Sequence, residues 1–148
     1  MEAVAVVDVN LLVRGVLSAK GGSRVLLIAL KQNRFRIITS RQHLFEIYRV
    51  LGYPRLTRKW PIVRRIRKRL VAQIYRRAIW VEPVESLHLC RDPKDDYLLQ
   101  MALLGQATHL VSEDDDLHQD PLIPTFLSQR GIQLVHLGDF LRATALDV

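Results

Sequence analysis

Apolar residues along the chain follow two alternating patterns: short unbroken runs and longer runs with helical spacing. Residues 3–7 form an unbroken run rich in valine, which is typical of a strand buried on both faces of a parallel sheet. Further strands are predicted over residues 35–39, 79–81, 108–112 and 132–136.

Helices are predicted between these strands from apolar spacing and capping residues. Ser23, Ser40 and Asp92 are the predicted N-caps of three of them, and Pro93 occupies the first-turn position that proline tolerates. The predicted helices span residues 23–33, 41–51, 93–104 and 124–129. Because strands alternate with helices, the pattern predicts βαβ units and a mostly parallel sheet.

Composition refines this picture. The 148 residues contain no internal repeat and no linker-like tract, so we expect a single domain over residues 1–148. The net charge is +7, which favours a polyanionic partner. No apolar run approaches the roughly 20 residues of a membrane-spanning helix, no signal-peptide pattern is present, and one cysteine cannot form an intrachain disulfide. We therefore expect a soluble, cytoplasmic protein without a membrane partner.

The positive charge is concentrated in one segment, residues 55–77. It holds ten lysines and arginines and no acid, so the rest of the chain is net acidic. Residues Ile62, Val63, Ile66, Leu70 and Ile74 can form one helical face, which leaves the cations outward. The residues expected to contact RNA phosphates are Arg64, Arg65, Arg67 and Lys68, and Trp60 and Tyr75 can stack on bases. The alternative is a solvated face, or a surface for an acidic protein partner.

Carboxylates follow three of the predicted strands. Asp8 ends the first buried run, residues 92–96 follow the third strand, and residues 113–116 follow the fourth. In a parallel sheet these positions meet at one edge, where packed carboxylates repel one another unless a cation compensates. Mg²⁺ or Mn²⁺, which prefer oxygen ligands, fit such an edge.

Each acid also has a purely structural interpretation. Asp92 can cap its helix, Asp95 can interact with the helix dipole, and residues 114–116 can be a solvated loop. Asp8 does not fit this interpretation, because an unpaired charge at the end of a buried run costs folding free energy. Glu46 lies off the apolar stripe of Leu44, Ile47, Tyr48 and Leu51, so the pattern alone predicts a surface residue.

Four stretches resemble, in order, the motifs of PIN-domain nucleases. They are VVDVNLL at residues 6–12, HLFEIYRVL at 43–51, DPKDDYLLQMAL at 92–103 and ATHLVSEDDDL at 107–117. The similarity spans residues 4–118 and is closest to the toxin components of bacterial toxin–antitoxin pairs.

This resemblance implies a Rossmann-like α/β/α sandwich and an endoribonuclease dependent on Mg²⁺ or Mn²⁺. The four catalytic acids it implies are Asp8, Glu46, Asp95 and Asp114. Asp8, Asp95 and Asp114 would bind the metal with Asp116 as a secondary acid, and Asn10, Ser112 and Asp96 would support them. The implied chemistry is in-line attack of water on single-stranded or structured RNA, which leaves a 5′-phosphate. An antitoxin and a homodimer are the implied protein partners.

Two positions depart from the family pattern. Glu113 stands where the family usually has glycine, so we expect strain or added charge in that loop. Asp96 adds an acid beside Asp95, and the two can exchange roles. Two other functions stay open: a non-catalytic basic RNA-binding module, and a regulatory phosphoacceptor domain built on Asp8.

Overall fold

A computed structural model describes residues 2–84 and 93–146. The order of its strands and helices in this part of the chain is as follows: β1 Val4–Val7, α1 Val9–Leu17, α2 Gly22–Lys31, β2 Arg36–Thr39, α3 Arg41–Leu51, α4 Pro54–Lys59, α5 Val63–Arg77, β3 Ile79–Trp80, α6 Pro93–Leu104, β4 His109–Val111, α7 Asp115–His118, α8 Ile123–Ser128, β5 Gln133–Val135 and α9 Leu137–Ala143. None of these helices is long and apolar enough to cross a membrane.

The strands form one parallel sheet in the order β3-β2-β1-β4-β5. The predicted parallel α/β class is therefore confirmed. Side chains along β1 alternate between two layers: Ala5 and Val7 face one core, and Val6 faces the other. The first core packs α1, α2, α3, α5 and α9 against the sheet, and the second packs α6, α7 and α8 on the opposite side.

Several local predictions agree with the structure. Ser40 caps α3 as predicted, because its hydroxyl accepts a hydrogen bond from the His43 N–H at 3.2 Å. Helix α6 ends at Leu104, before Gly105, as predicted. Asp92, the predicted cap of this helix, lies outside the described residues.

Other local predictions are wrong. Helix α2 begins after Gly21, whose φ of +98° suits glycine, and Ser23 is buried inside the helix. The basic segment forms two helices, α4 and α5. Ile62 is 61% exposed and lies outside the buried face of α5. The short helices α1, α7 and α9 were not predicted, since the apolar spacing in these stretches is too short or too continuous to separate helix from strand.

Candidate functional site

The strand order places a topological switch point at the carboxyl ends of β1 and β4. The chain proceeds from β1 to β2 on one side and later returns to β4 on the other side of β1. Ligands in open parallel sheets bind in the crevice at such a point. Asp8 and Ser112 are the first residues after these two neighbouring strands, because Val7 pairs with Val111.

Asp8 is held at this crevice by two donors. It caps α1, with Oδ1 accepting from the Asn10 N–H at 3.2 Å, and Oδ2 accepts from the Ser112 hydroxyl at 3.0 Å. The second bond joins the ends of β1 and β4 across the switch point. Asp8 remains partly exposed, so its carboxylate is both fixed and accessible.

The loop after β4 is ordered around the same serine. The Ser112 hydroxyl accepts from the Asp114 N–H at 3.1 Å, and Asp114 caps α7 by accepting from the Asp116 N–H at 2.9 Å. Asp114 is thereby linked to Asp8 through one side chain. Asp116 is exposed beside it, and the His118 ring contacts the Ser112 carbonyl at 2.6 Å.

Glu113 does not strain this loop, contrary to one of the expectations from the sequence. Its backbone is not in the left-handed region, which the non-glycine residues Asn33, Gln106 and Ala145 occupy. Its Oε1 accepts a hydrogen bond from the Leu137 N–H at 2.8 Å. Leu137 is the first residue of α9, so the negative charge of Glu113 lies at a helix N-terminus, where it is favourable.

Glu46 approaches the site from α3 and is half-buried, so the prediction of a solvated surface residue is wrong. The Tyr97 hydroxyl of α6 donates to Glu46 Oε2 at 3.0 Å. The apolar stripe of α3 also differs from the pattern: Tyr48 is 46% exposed, and His43 is fully buried instead.

Tyr97 connects the carboxylates electrostatically. Its pKa is raised strongly, first by burial and then by the charge of Glu46, its hydrogen bond to Glu46, and the charges of Asp8 and Asp95. The hydroxyl therefore stays protonated and acts as a permanent donor. Asp8 after β1, Glu46 on α3 and Asp95 at the start of α6 thus all act on the Tyr97 hydroxyl.

His43 joins the sheet to the helix that carries Glu46. Its Nε2 lies 2.8 Å from the Val7 carbonyl and its Nδ1 lies 2.9 Å from the Thr39 hydroxyl. Burial lowers its pKa, although the bond to Val7 and the charges of Glu46 and Asp8 act in the opposite direction. A neutral ring that donates from Nε2 to Val7 satisfies both contacts and fixes the residue before Asp8.

Asp95 and Asp96 are both buried at the start of α6. Asp96 accepts from the Gln100 side-chain amide at 3.2 Å, and the Gln100 Oε1 in turn accepts from the Val84 N–H. The charge of Asp95 acts on Tyr97. Asp96 is therefore connected through Gln100 to the segment after β3, whereas the charge of Asp95 influences the hydroxyl that donates to Glu46.

We call Asp8, Glu46, Asp95 and Asp114 the acidic edge. Ion pairs in the described chain involve Arg41 with Glu82 and Arg142 with Asp139, and none involves Asp8, Glu46 or Asp114. No three acidic, histidine or cysteine side chains of the described residues lie close enough to ligate one ion directly. Mg²⁺ usually keeps several waters and takes one or two carboxylates, so this oxygen-only donor set fits an ion held partly through water.

The predicted phosphate-binding residues do not all share one environment. Arg64, Arg65 and Lys68 are exposed on α5, and within the described chain their side chains form no hydrogen bond or ion pair. We call these three residues the basic surface. Arg67 differs: its guanidinium carbon lies 4.0 Å from the Tyr48 ring centroid, and NH1 donates to the Tyr48 carbonyl at 3.2 Å. The prediction of an outward Arg67 is therefore wrong, because it clamps α5 to α3.

Sequence reasoning missed two residues that position the acids, His43 and Tyr97. Both lay inside the motifs: His43 is one helical turn before Glu46, and Tyr97 stands two residues after Asp95. The available signal in the sequence was a polar side chain at a helical position whose spacing predicts that it faces the core.

Comparison with known proteins adds an independent finding. The sequence profile of the PIN domain matches residues 4–116, which include all four residues of the acidic edge. Neither the curated proteins nor the solved structures give a significant match. PIN domains are typically metal-dependent nucleases. The match covers most of the chain and agrees with the parallel sheet and with the carboxylates at its switch point. The protein therefore belongs to the PIN-domain family.

Proposed function

We propose that the protein is an endoribonuclease that uses Mg²⁺ or Mn²⁺ at the acidic edge. The observation that carries this proposal is the Ser112 hydroxyl, which donates to Asp8 Oδ2 at 3.0 Å while accepting from the Asp114 N–H at 3.1 Å. One hydroxyl thereby fixes the Asp8 carboxylate and the backbone that carries Asp114, at the carboxyl ends of two neighbouring strands.

Each residue of the site has a distinct task in this proposal. Asp8, Asp95 and Asp114 would hold the ion partly through water, with Asp116 as an exposed secondary acid. A bound ion supplies polarisation of the scissile phosphate and a lowered pKa for a bound water. Glu46, whose Oε2 is held by Tyr97, orients the attacking water through its other oxygen. Water attacks phosphorus and the P–O3′ bond breaks. The attacking water loses a proton to solvent and the leaving O3′ oxygen takes one up, which gives a 3′-hydroxyl and a 5′-phosphate.

The basic surface provides attraction for the RNA backbone. Because the side chains of Arg64, Arg65 and Lys68 have no hydrogen-bond or ion-pair partner in the described chain, they are available to phosphates without first breaking such a contact. Arg67 does not belong to this set, since leaving Tyr48 would open the contact between α5 and α3.

The test is cleavage of a labelled RNA in the presence of Mn²⁺, Mg²⁺ or a chelator. Wild-type protein is expected to cleave with either ion and not with the chelator, and Asp8→Asn is expected to lose cleavage while still binding RNA. Glu2→Gln is the matched control, because Glu2 precedes β1 at the opposite edge of the sheet. Equal, metal-independent behaviour of all three proteins would favour a non-catalytic RNA-binding module.

We further propose that the protein acts as the toxin of a toxin–antitoxin pair, as a homodimer in the cytoplasm. The resemblance of the four motifs to that branch supports this role. Induced expression of wild-type protein should arrest growth, and Asp8→Asn should not. A small protein encoded next to the gene should relieve the arrest; growth arrest by both variants would contradict the proposal.

A further inference from the structure

An exposed aromatic pair lies at the edge strand of the sheet. Trp80 of β3 is 41% exposed and Tyr75 of α5 is 65% exposed. Their ring centroids are 5.4 Å apart at an interplanar angle of 77°, an edge-to-face arrangement. An exposed side chain can change rotamer, but the Trp80 indole N–H donates to the Tyr75 carbonyl at 3.0 Å and so favours one orientation of the ring. The ring is therefore held in place while much of it stays accessible.

The register of the sheet relates this pair to the acidic edge. Thr39 pairs with Trp80, and continuing the register of β1 and β2 sets Thr39 beside Val7, the residue before Asp8. Strands lie about 4.8 Å apart, so the backbones of Trp80 and Val7 are separated by roughly 10 Å. Residues in one row of a parallel sheet point to the same face, and Val7 faces the core formed by α3 and α5. Trp80 is thus on the side of the sheet from which Glu46 approaches.

Charge around the pair points to the chemistry of its ligand. Arg76 follows Tyr75 directly and is exposed at the end of the basic helix α5, whereas Arg77 lines a pocket with Glu2 at the opposite edge of the sheet. Arg41, whose side chain is 88% exposed, lies 3.7 Å from Glu82 in a solvated ion pair and adds no net charge. An exposed aromatic surface beside a helix rich in cations suits a ligand that carries both rings and negative charge. Single-stranded nucleic acid has both, and stacking of bases on protein aromatics accepts any sequence.

From these observations we propose that Trp80, supported by Tyr75, is a base-stacking site for single-stranded RNA, within a few nucleotides of the phosphate held at the acidic edge. This inference rests on the proposed nuclease function for its position relative to the cleaved bond. It predicts that the substrate is unpaired at this nucleotide, because a base within a duplex cannot stack on a protein ring.

Trp60 provides a matched comparison. It is 38% exposed and lies between the two basic helices, but the Lys59 ammonium is 4.6 Å from its ring centroid. One region of its π surface is therefore already engaged by a cation. Trp60 also lies outside the row of residues that connects Trp80 to Val7. These are the two tryptophans of the chain, so each can be studied alone after replacement of the other.

The first measurement is the affinity for a short single-stranded RNA in a chelator, which prevents cleavage. Trp80→Leu should weaken binding about 5- to 150-fold, which corresponds to about 1–3 kcal/mol for one stacked base. Trp80→Phe should restore most of the affinity, and Trp60→Leu should change it little. Inorganic polyphosphate, which has charge but no bases, should bind wild type and Trp80→Leu equally. Equal RNA affinity of wild type and Trp80→Leu, or an equal loss for polyphosphate, would overturn the site.

The second measurement leaves Trp80 intact and so decides the question even where Trp80→Leu does not fold. In Trp60→Phe, the single tryptophan emission should be quenched by single-stranded RNA and unchanged by polyphosphate. Absence of quenching on saturation with RNA would overturn the stacking site. The same protein is then assayed for cleavage with Mn²⁺: cleavage without quenching leaves the nuclease standing and removes the stacking site, whereas quenching without cleavage retains the base-binding site and removes the nuclease.

Discussion

The acidic edge and the basic surface carry opposite charges, and they are built in opposite ways. Asp8, Glu46 and Asp114 each take part in hydrogen bonds with neutral partners, namely Ser112, Tyr97 and backbone N–H groups. Arg64, Arg65 and Lys68 project into solvent with no such bonds in the described chain. The first region fixes geometry, as a site for an ion and a reacting phosphate requires. In the proposed function the second supplies only long-range attraction for RNA, which tolerates mobile side chains.

The two regions also do not neutralise each other. Ion pairs of the described residues leave out both Asp8 and the basic surface. Each region is therefore available to the partner that we propose for it: a cation at the acidic edge and a polyanion at the basic surface. The proposed ribonuclease uses both, and separation of the two regions keeps the basic side chains from pairing with the acids that would bind the metal.

The largest expected effect concerns the serine that holds the acidic edge together. Ser112→Ala removes the hydroxyl that links Asp8 to the Asp114 backbone. We expect Mn²⁺ affinity and cleavage to fall about 10- to 100-fold, as is usual when a group that orients a metal ligand is lost. Metal titration and cleavage rates measure this. Ser18→Ala, which removes a hydroxyl after the far end of α1, is the control and should change neither. Equal rates for wild type and Ser112→Ala would show that the acids need no such fixation.

The next effect tests whether Arg67 belongs to the basic surface or to the fold. Arg67→Ala removes both the hydrogen bond and the cation–π contact with Tyr48, so we expect the free energy of unfolding to fall by about 1–2 kcal/mol. Arg65→Ala, an exposed neighbour on the same helix, should stay within about 0.5 kcal/mol of wild type. Urea unfolding of the two variants measures this difference. Equal stability of the two variants would show that Arg67 does not stabilise the fold and belongs with the basic surface.

A pH-dependent effect of similar size comes from His43. Burial lowers its pKa in the folded protein below the ordinary value of 6.5, so the unfolded chain binds the proton more readily. The stabilisation from a neutral His43 is complete above about pH 6.5 and declines as the pH falls towards the lowered pKa, by at most about 1.4 kcal/mol per pH unit.

Unfolding experiments between pH 5 and 7 measure this dependence. His43→Gln keeps a donor for the Val7 carbonyl and should flatten the curve. Burial also lowers the pKa of His109, so His109→Gln should remove only the contribution of His109 to the pH dependence of stability. An unchanged curve in His43→Gln would mean that the coupling of α3 to the end of β1 does not depend on a neutral ring.

The smallest expected effect on stability, and the most specific effect on binding, concerns the basic surface. Replacing Arg64 and Lys68 with alanine should change the free energy of unfolding by less than about 0.5 kcal/mol per residue. The slope of log affinity for RNA against log salt should flatten by about one unit per lost phosphate contact. RNA binding at several salt concentrations measures this slope. An unchanged slope would assign the surface to a protein partner instead.

The sequence was sufficient for the class of fold and for the order of the motifs. Unbroken valine-rich runs identify strands of a parallel sheet, and Ser40 identifies the start of α3, because these signals are local. The position of Glu46 was not accessible from the helical pattern, since its half-buried state depends on Tyr97 from α6, which is 51 residues away. Only the resemblance to PIN domains named it.

The same limit explains the errors in the basic segment. A helical pattern cannot show that Arg67 turns back to the Tyr48 carbonyl, because the partner belongs to another helix. Likewise, the substitution of Glu113 for glycine suggested strain until the contact with the Leu137 N–H was known. Local pattern predicts where elements lie, and long-range contacts decide what individual side chains do.

The central claim is that the acidic edge binds a divalent cation, and thermal unfolding with and without Mn²⁺ tests it most directly. Without metal, Asp8→Asn should melt at or above the temperature of wild type, because one of several mutually repelling charges is removed while the cap of α1 is retained. With Mn²⁺ at a hundredfold excess over its dissociation constant, wild type should gain about 2.7 kcal/mol, and Asp8→Asn should gain much less. No shift in wild type, or the same shift in both proteins, would contradict the metal site.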